Sequence, residues 1–241
     1  MSKQIIHQND VHIWLASLYV TSRVSDVLHQ NLSSEEDERA GRFVFTRDRR
    51  NFIVARGILR DILAKYLDCQ PKQIHFDYEP YGKPRISLSE ITARLEFNLS
   101  HSSGFLVLAV ADGRKVGIDI ERVRSLPDLE QIASHAFSSH EQKELSTFTG
   151  EEKPHGFFRC WTRKEAYLKA RGDGLSIPLD TFDMSLTAHN PIRMLSNRLD
   201  PDEVSRWSFH TFIPEQSFVG ALAIEGQAAV PEFRHWDSAE V

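Results

Sequence analysis

Cysteine is scarce in this chain, with two in 241 residues. Cys69 and Cys160 have neither CxxC nor Cys/His spacing, which excludes a disulfide scaffold and gives no sign of a thiolate metal site. Free thiols in a reducing compartment are the expectation. Long apolar runs are missing too. The longest, such as Phe105 to Ala111, fall far short of the ~20 residues that a membrane helix needs. The segment Met1 to Asp10 is polar and lacks the apolar core of a signal peptide, so a cytoplasmic protein without membrane attachment is expected. There is no cationic excess: 29 Lys and Arg face 34 Asp and Glu, for a net charge of −5. General nucleic-acid binding needs the opposite balance, so no nucleic-acid partner is expected. Nor is there a Pro/Ser-rich linker, so any two units should pack tightly together.

The remaining composition is that of an ordinary soluble globular protein, 41% hydrophobic and 26% charged. The length suits one large domain or two small ones. Val11 to Leu18 reads as a strand, Ser34 opens a helix with acids in its first turn, and Asp48 to Leu67 reads as a longer helix. On that helix Phe52, Ala55, Leu59, Ile62, Leu63 and Tyr66 have core spacing. Ile74 to Ile86 gives two short strands about a turn. Leu95–Leu99, Phe105–Ala111 and Lys115–Glu121 read as strands. Ser138 and Glu141 form a capping box at a helix running to Phe148, and His155 to Ala170 is a second long helix that ends at Gly172. Phe182–Leu186, Trp207–Phe212 and Phe218–Ile224 close the chain as strands. Each half orders a strand, a short helix, a long helix and a strand carrying Phe-Asp (Phe76-Asp77, then Phe182-Asp183). The expectation is an α+β fold of two similar halves, residues 1–112 and 113–241.

Four stretches carry chemistry. In Val116-Gly117-Ile118-Asp119-Ile120-Glu121 the two acids are two apart and share one strand face. Carboxylates so placed repel each other unless a cation or a basic group lies between them. Magnesium suits such oxygen ligands, together with phosphate oxygens and water. A solvated strand face is the bland alternative, and the apolar residues around the acids weigh against it. On the helix Trp161-Thr162-Arg163-Lys164-Glu165-Ala166-Tyr167-Leu168-Lys169-Ala170, Trp161, Glu165 and Lys169 share one face. Spacing alone leaves two accounts open: an ordinary Glu-to-Lys pair worth ~0.2–0.5 kcal/mol, or a third carboxylate beside a phosphate-binding lysine. In Phe97-Asn98-Leu99-Ser100-His101-Ser102, neighbours on an extended chain point apart, so Ser100 and His101 make a poor nucleophile–base pair. They suit hydrogen bonding to a phosphate instead. Tyr81-Gly82-Lys83-Pro84-Arg85 is a turn presenting Lys83. A further run of arginines (Arg39, Arg42, Arg47, Arg49, Arg50, Arg56, Arg60) is either a solvated helix face or a patch for phosphate or an acidic partner.

In this order and at these distances, the four stretches resemble the Sfp-type 4′-phosphopantetheinyl transferases over roughly the whole chain. The resemblance implies a pseudo-dimer of two α+β halves, acting as a monomer, with coenzyme A bound between them. It further implies that Asp119, Glu121 and Glu165 hold magnesium, and that Lys169 contacts the pyrophosphate. Ser100, His101 and Lys83 match phosphate-gripping residues, His101 near the 3′-phosphate. Arg39 matches a basic residue at the adenylate end. Glu36 stands where some relatives carry a second basic residue, so Arg42 is a candidate to share that task. The implied reaction transfers phosphopantetheine to a serine of an apo acyl or peptidyl carrier protein and releases adenosine 3′,5′-bisphosphate. Catalysis would fall to Glu165, Lys169 and Asp119. A coenzyme A-binding module without turnover and a magnesium-dependent nucleotide pyrophosphatase are the other classes. The intact acidic trio with Lys169 weighs against the first.

Overall fold

The computed structural model of the chain describes residues 3–87, 94–188, 192–227 and 230–240. Its first half contains β1 (Val11–Ser17), α1 (Ser22–Gln30), α2 (Ser34–Gly41), α3 (Thr46–Leu67), β2 (Phe76–Tyr78), β3 (Pro84–Ile86), β4 (Leu95–Ser102) and β5 (Phe105–Asp112). The second contains β6 (Val116–Arg122), α4 (Leu129–Ala136), α5 (Ser139–Ser146), α6 (Glu152–Arg171), β7 (Phe182–Met184), β8 (Met194–Asn197), α7 (Glu203–Arg206), β9 (Trp207–Phe212), β10 (Phe218–Glu225) and β11 (Glu232–His235). The architecture is α+β, and the halves repeat one plan. Each has a strand, two short helices, a long helix, a two-stranded hairpin and two more strands. The first sheet has the order β11-β1-β5-β4, and the second has the order β6-β10-β9. In both, the first strand pairs antiparallel with the last of its half. The plan is crossed once. β11, far along the chain, returns to pair parallel with β1.

Strand alternation sets the layers. Val11, Ile13 and Leu15 of β1 and Val107, Ala109 and Ala111 of β5 share one core with Val116, Ile118 and Ile120 of β6 and Leu222 and Ile224 of β10. The two sheets therefore face each other. The opposite face of the first sheet, with Trp14, Leu108 and Val110, packs on α3. That of the second, with Val219, Ala221 and Ala223, packs on α6. The order is helix, sheet, sheet, helix.

The capping box at Ser138 and Glu141 forms as read, and an equivalent box at Ser33 and Glu36 opens α2. Both glutamates are buried, and each pairs with a cation of its long helix: Glu36 with Arg60 at 2.6 Å, Glu141 with Lys164 at 2.8 Å. Arg60 also donates to the carbonyls of Pro71 and Ile74, and Lys164 to those of Leu179 and Phe182. The repeated phenylalanine lies under each cation, Phe76 at 5.0 Å and Phe182 at 4.2 Å. The shared Phe-Asp step is thus one wall of a repeated tie between the long helix and the hairpin.

Two expectations change. The buried part of α3 is wider than one stripe and includes Arg60, Asp61 and Lys65, because those charges are paired rather than solvated. The arginine run is not one continuous face either. Arg60 is buried on Glu36, and Arg56 Nε donates to the same carboxylate at 2.7 Å. Neither cysteine is in a disulfide; Cys160 is buried and Cys69 half-buried. Among the described residues no helix is long and apolar enough to cross a membrane.

Candidate active site

β4 and β6 are edge strands of the two sheets, and side chains rather than a backbone ladder join them here. Asn98, Ser100 and Ser102 alternate along β4 and all reach β6. Asn98 Oδ1 accepts from the Ile118 amide at 2.9 Å, Ser100 Oγ donates to Asp119 Oδ1 at 2.8 Å, and Ser102 Oγ donates to Glu121 Oε2 at 2.8 Å. The near-constant offset means the strands run alongside in the same direction. The seam between the halves is therefore also the place where the two strand acids are held.

α6 closes over this seam. Gly117 permits it: a Cβ there would lie 2.1 Å from the Ala166 carbonyl oxygen and 2.2 Å from the Ala170 nitrogen. Trp161, Glu165 and Lys169 are half-buried while their neighbours 162–164 and 166–168 are buried, so the expected shared stripe is the one that α6 leaves accessible. Lys169 Nζ lies 2.6 Å from Asp119 Oδ1 and 3.1 Å from Ser100 Oγ. Gly172, at φ 82°, ends the helix as read and lets the chain turn away just beyond Lys169.

The electrostatics are those of crowded carboxylates. Burial pushes Glu165 above the usual carboxylate range, Asp119 adds to the rise, and Glu121 contributes less, partly offset by Lys169. Glu121 is pushed the same way, by burial and by Asp119, against the Ser102 hydrogen bond and the charges of Arg124 and Lys169. Asp119 is buried, and its Oδ2 has no hydrogen-bond partner. A buried carboxylate oxygen without a donor is costly in isolation. Its natural complement is a cation, and hard oxygen donors of this kind fit magnesium. Among the described residues no group of three or more His, Cys, Asp or Glu side chains is drawn together closely enough to hold a metal ion as it stands. Lys169 is the cation that Asp119 touches.

Ser100 and His101 diverge as the extended chain requires, Ser100 inward onto Asp119 and His101 to the solvent side. The His101 imidazole is held below its usual range, first by partial desolvation at the cleft and then by the Lys169 charge. Lys83 Nζ donates to the carbonyls of Val116 and Ala170, each at 3.1 Å, so it ties the start of β6 to the end of α6. Burial lowers its pKa, with Glu96 and Glu79 opposing. Lys83 also lines a cavity of about 240 Å³ with Tyr81, Leu99, Glu165 and Lys169. Arg39 lies on α2, exposed, its guanidinium 5.3 Å from the Phe52 ring centroid. The structure thus gathers Asp119, Glu121, Glu165, Lys169 and Ser100 at one seam, with His101 and Lys83 on its borders. Glu36, the departure in the expected basic pair, is engaged in the α2 cap. Sequence reasoning left out Asn98 and Ser102. Their signal was the polar residue at every second position of a strand whose opposite face carries Leu95, Phe97 and Leu99.

Residues 115–223 match the profile of the 4′-phosphopantetheinyl transferase superfamily, and residues 21–112 that of the 4′-phosphopantetheinyl transferase N-terminal region. The chain is 39% identical to the 4′-phosphopantetheinyl transferase HetI of Nostoc sp. over 228 residues, 95% of this chain and 93% of the relative. It is 29% identical over 182 residues to the 4′-phosphopantetheinyl transferase Sfp of Bacillus subtilis, covering 70% and 78% of the two chains. Over 208 residues it is 27% identical to an L-aminoadipate-semialdehyde dehydrogenase-phosphopantetheinyl transferase of Rattus norvegicus, covering 81% and 67%.

Proposed function

The chain belongs to the 4′-phosphopantetheinyl transferase superfamily, and on that premise we propose that it moves phosphopantetheine from coenzyme A to a serine of an apo acyl or peptidyl carrier protein. One observation carries the finer reading. A buried Asp119 oxygen without a donor lies beside Glu121, Glu165 and the Lys169 ammonium, at the seam of two halves. Asp119, Glu121 and Glu165 are the residues that would hold magnesium. When bound, the ion supplies neutralisation of charge on the pyrophosphate oxygens.

The protein's own groups divide the remaining work. Glu165, its carboxyl raised towards neutrality by its surroundings, accepts the proton of the carrier serine hydroxyl. The serine oxygen bonds to the β-phosphorus as that phosphorus parts from the bridging oxygen of the diphosphate. Adenosine 3′,5′-bisphosphate departs with its charge met by Lys169. Ser100 holds Asp119 and Lys169 in register, and His101 and Arg39 bind the nucleotide phosphates. Lys83 supports the cleft through its two carbonyls and faces the same cavity. Residues 1–112 and 113–241 are read as the two walls of the cofactor cleft, so one chain suffices, working as a monomer in the cytoplasm.

The test is to incubate the protein with coenzyme A, magnesium and several apo-carrier proteins, then weigh the carriers. The expected gain is about 340 Da per carrier, the mass of one phosphopantetheine arm. Hydrolysis of coenzyme A without any carrier gaining mass would favour a pyrophosphatase instead.

A further inference from the structure

We infer that the rim built from Tyr19 and the tip between α2 and α3 is the docking surface for the carrier protein, and that the carrier meets it with acidic side chains. This rests on the transfer reading above. The tip, Arg42-Phe43-Val44-Phe45, exposes apolar side chains that a solvated turn does not need. Val44 is 89% exposed and Phe45 69%, while Phe43 turns back onto Phe52 at 5.3 Å. Tyr19 is 80% exposed. Its ring packs over Gly104, 2.3 Å from where a Cβ at that position would stand. The Leu18 amide donates to the Gly104 carbonyl at 2.8 Å. An exposed aromatic ring packed on a glycine loses little freedom on binding, which is what an interface anchor requires.

This rim is continuous with the reacting groups. Gly104 turns β4 into β5, two residues after Ser102, whose hydroxyl holds Glu121. From Tyr19 the chain passes to Val20, whose carbonyl accepts from Arg50 Nη2 at 2.5 Å. Arg50 lies in the first turns of α3, which begins just after Phe45. The carboxylates are thus linked to the apolar tip by ordered contacts through the β4–β5 turn, Val20 and Arg50.

Charge selects the occupant. Residues 42–50 hold four arginines and one acid, Asp48, in a chain whose net charge is −5. Arg42, Arg47 and Arg49 are exposed, as is Arg23, four residues after Tyr19 in the chain. Aromatic residues amid arginines are the composition of a protein interface core, and positive charge draws in an acidic partner. In this reaction the partner must bring its serine to Glu165, so its contact surface has to adjoin the seam. Arg56 and Arg60 are engaged with Glu36 and take no part.

The experiment titrates apo-carrier at saturating coenzyme A for the wild type, Tyr19→Ala, Phe45→Ser and the double variant R47E/R49E, at low and physiological salt. All four side chains are exposed, so the variants should keep the wild-type Tm. Carrier KM should rise about tenfold or more in each variant, with the coenzyme A KM unchanged. Added salt should raise the wild-type carrier KM far more than that of R47E/R49E. An unchanged carrier KM overturns the inference. So does a coenzyme A KM that rises in step, because the surface would then bind the nucleotide. If the wild type modifies no carrier, the transfer reading itself has failed. Calorimetric binding of apo-carrier then decides the surface: weaker binding by R47E/R49E supports it, and equal or absent binding removes it.

Discussion

At one matching position of the repeated plan, the first half places an indole, Trp14, where the second places a buried acid, Asp119. Trp14 pairs with Leu108, the fourth residue of β5, and Asp119 pairs with Ala221, the fourth of β10. Counted from the paired cations Arg60 and Lys164, Asp61 and Lys65 of α3 match Glu165 and Lys169 of α6. In the first half this acid and lysine form a buried pair at 3.6 Å. Lys65 Nζ lies 5.7 Å from the Trp14 ring, and Asp61 accepts from Trp236 Nε1 at 2.8 Å. The Lys65 side chain is 6% exposed, that of Lys169 30%. Indoles, one of them brought in just after β11, have closed the first pocket and turned its charges into structure. The second pocket keeps an aspartate oxygen without a donor and a lysine within reach of solvent. The same helix–sheet crossing is cement in one half and the proposed reaction site in the other, and the residue facing the helix separates the two.

The largest expected effect contrasts those two crossings. Asp119→Ala should lower transfer on the order of 10³-fold, the several kcal/mol of charge stabilisation that such a site supplies. Its Tm without added metal should hold, since an unpartnered buried oxygen is removed and Lys169 can reach water. Asp61→Ala should do the reverse: it leaves Lys65 buried and costs several kcal/mol of stability, while transfer by the protein that remains folded stays near wild type. A large Tm loss in Asp119→Ala would mean that the second crossing is structural as well.

Where the halves agree, they should fail together. Glu36→Ala and Glu141→Ala each strand a buried cation, Arg60 at 1% exposure and Lys164 at 1%. About 3–5 kcal/mol is expected for each, a Tm drop on the order of 10 °C in a chain of this size. Burial alone would raise the Glu36 pKa, but Arg56 and Arg60 bring it below the ordinary value. A depressed carboxyl contributes its stability above the unfolded value and loses it as pH falls through the folded one. Chemical denaturation as a function of pH should therefore find the Glu36 contribution waning in acid. If one variant were silent, the two ties would not be equivalent.

Much of this comparison is legible in the amino-acid sequence. Hydrophobic alternation and the Ser138–Glu141 cap marked most of the large elements, and two repeated Phe-Asp steps pointed to duplication. Local spacing also put Asp119 and Glu121 on one face and set Ser100 apart from His101. What stayed hidden depends on contacts distant in sequence. α4 and β11 are short, and parallel pairing of β11 with β1 joins segments some 220 positions apart. No local pattern announces that. Arg56 and Arg60 look like surface arginines until Glu36 arrives beside them. Lys83 reads as a turn lysine, and only the approach of α6 to β6 over Gly117 creates the two carbonyls it binds. Spacing brings charges to one element; the partner element decides whether they are solvated, paired or left for a ligand.

Titration should sharpen the contrast further. Glu165 and Glu121 are raised above their ordinary value of 4.5. Both must be ionised to accept a proton or hold a cation, so kcat/KM should climb with pH through a limb displaced upward from 4.5. Below that limb each pH unit should cost about tenfold for each carboxylate that must ionise, up to about a hundredfold for the two. The measurement is the pH profile of transfer at constant, subsaturating free magnesium, where the metal-free carboxylates set the limb. A limb at the ordinary carboxylate value would show that the carboxylates do not crowd one another as drawn.

The smallest effect tests the seam itself. Ser102 Oγ donates to Glu121 Oε2 at 2.8 Å and accepts from the Arg122 amide at 3.3 Å, so it joins β4 to an acid it does not adjoin in sequence. Glu121 is 28% exposed, and water can replace part of what the hydroxyl supplies. Loss of an orienting hydrogen bond to a ligand carboxylate commonly costs 10- to 100-fold in metal affinity. With Glu121 half-open, Ser102→Ala should fall at the lower end, about tenfold in the magnesium needed for half-maximal transfer. Turnover at saturating magnesium should stay within about twofold, because no reacting group is removed. Ser102→Thr, which keeps the hydroxyl, should restore the wild-type magnesium requirement. The hydroxyl also lowers the Glu121 pKa, so its loss should move the acid limb upward and not down. A variant with the wild-type magnesium requirement and an unmoved limb would reduce Ser102 to strand packing, leaving Ser100 as the one serine by which the first half acts on the acids of the second.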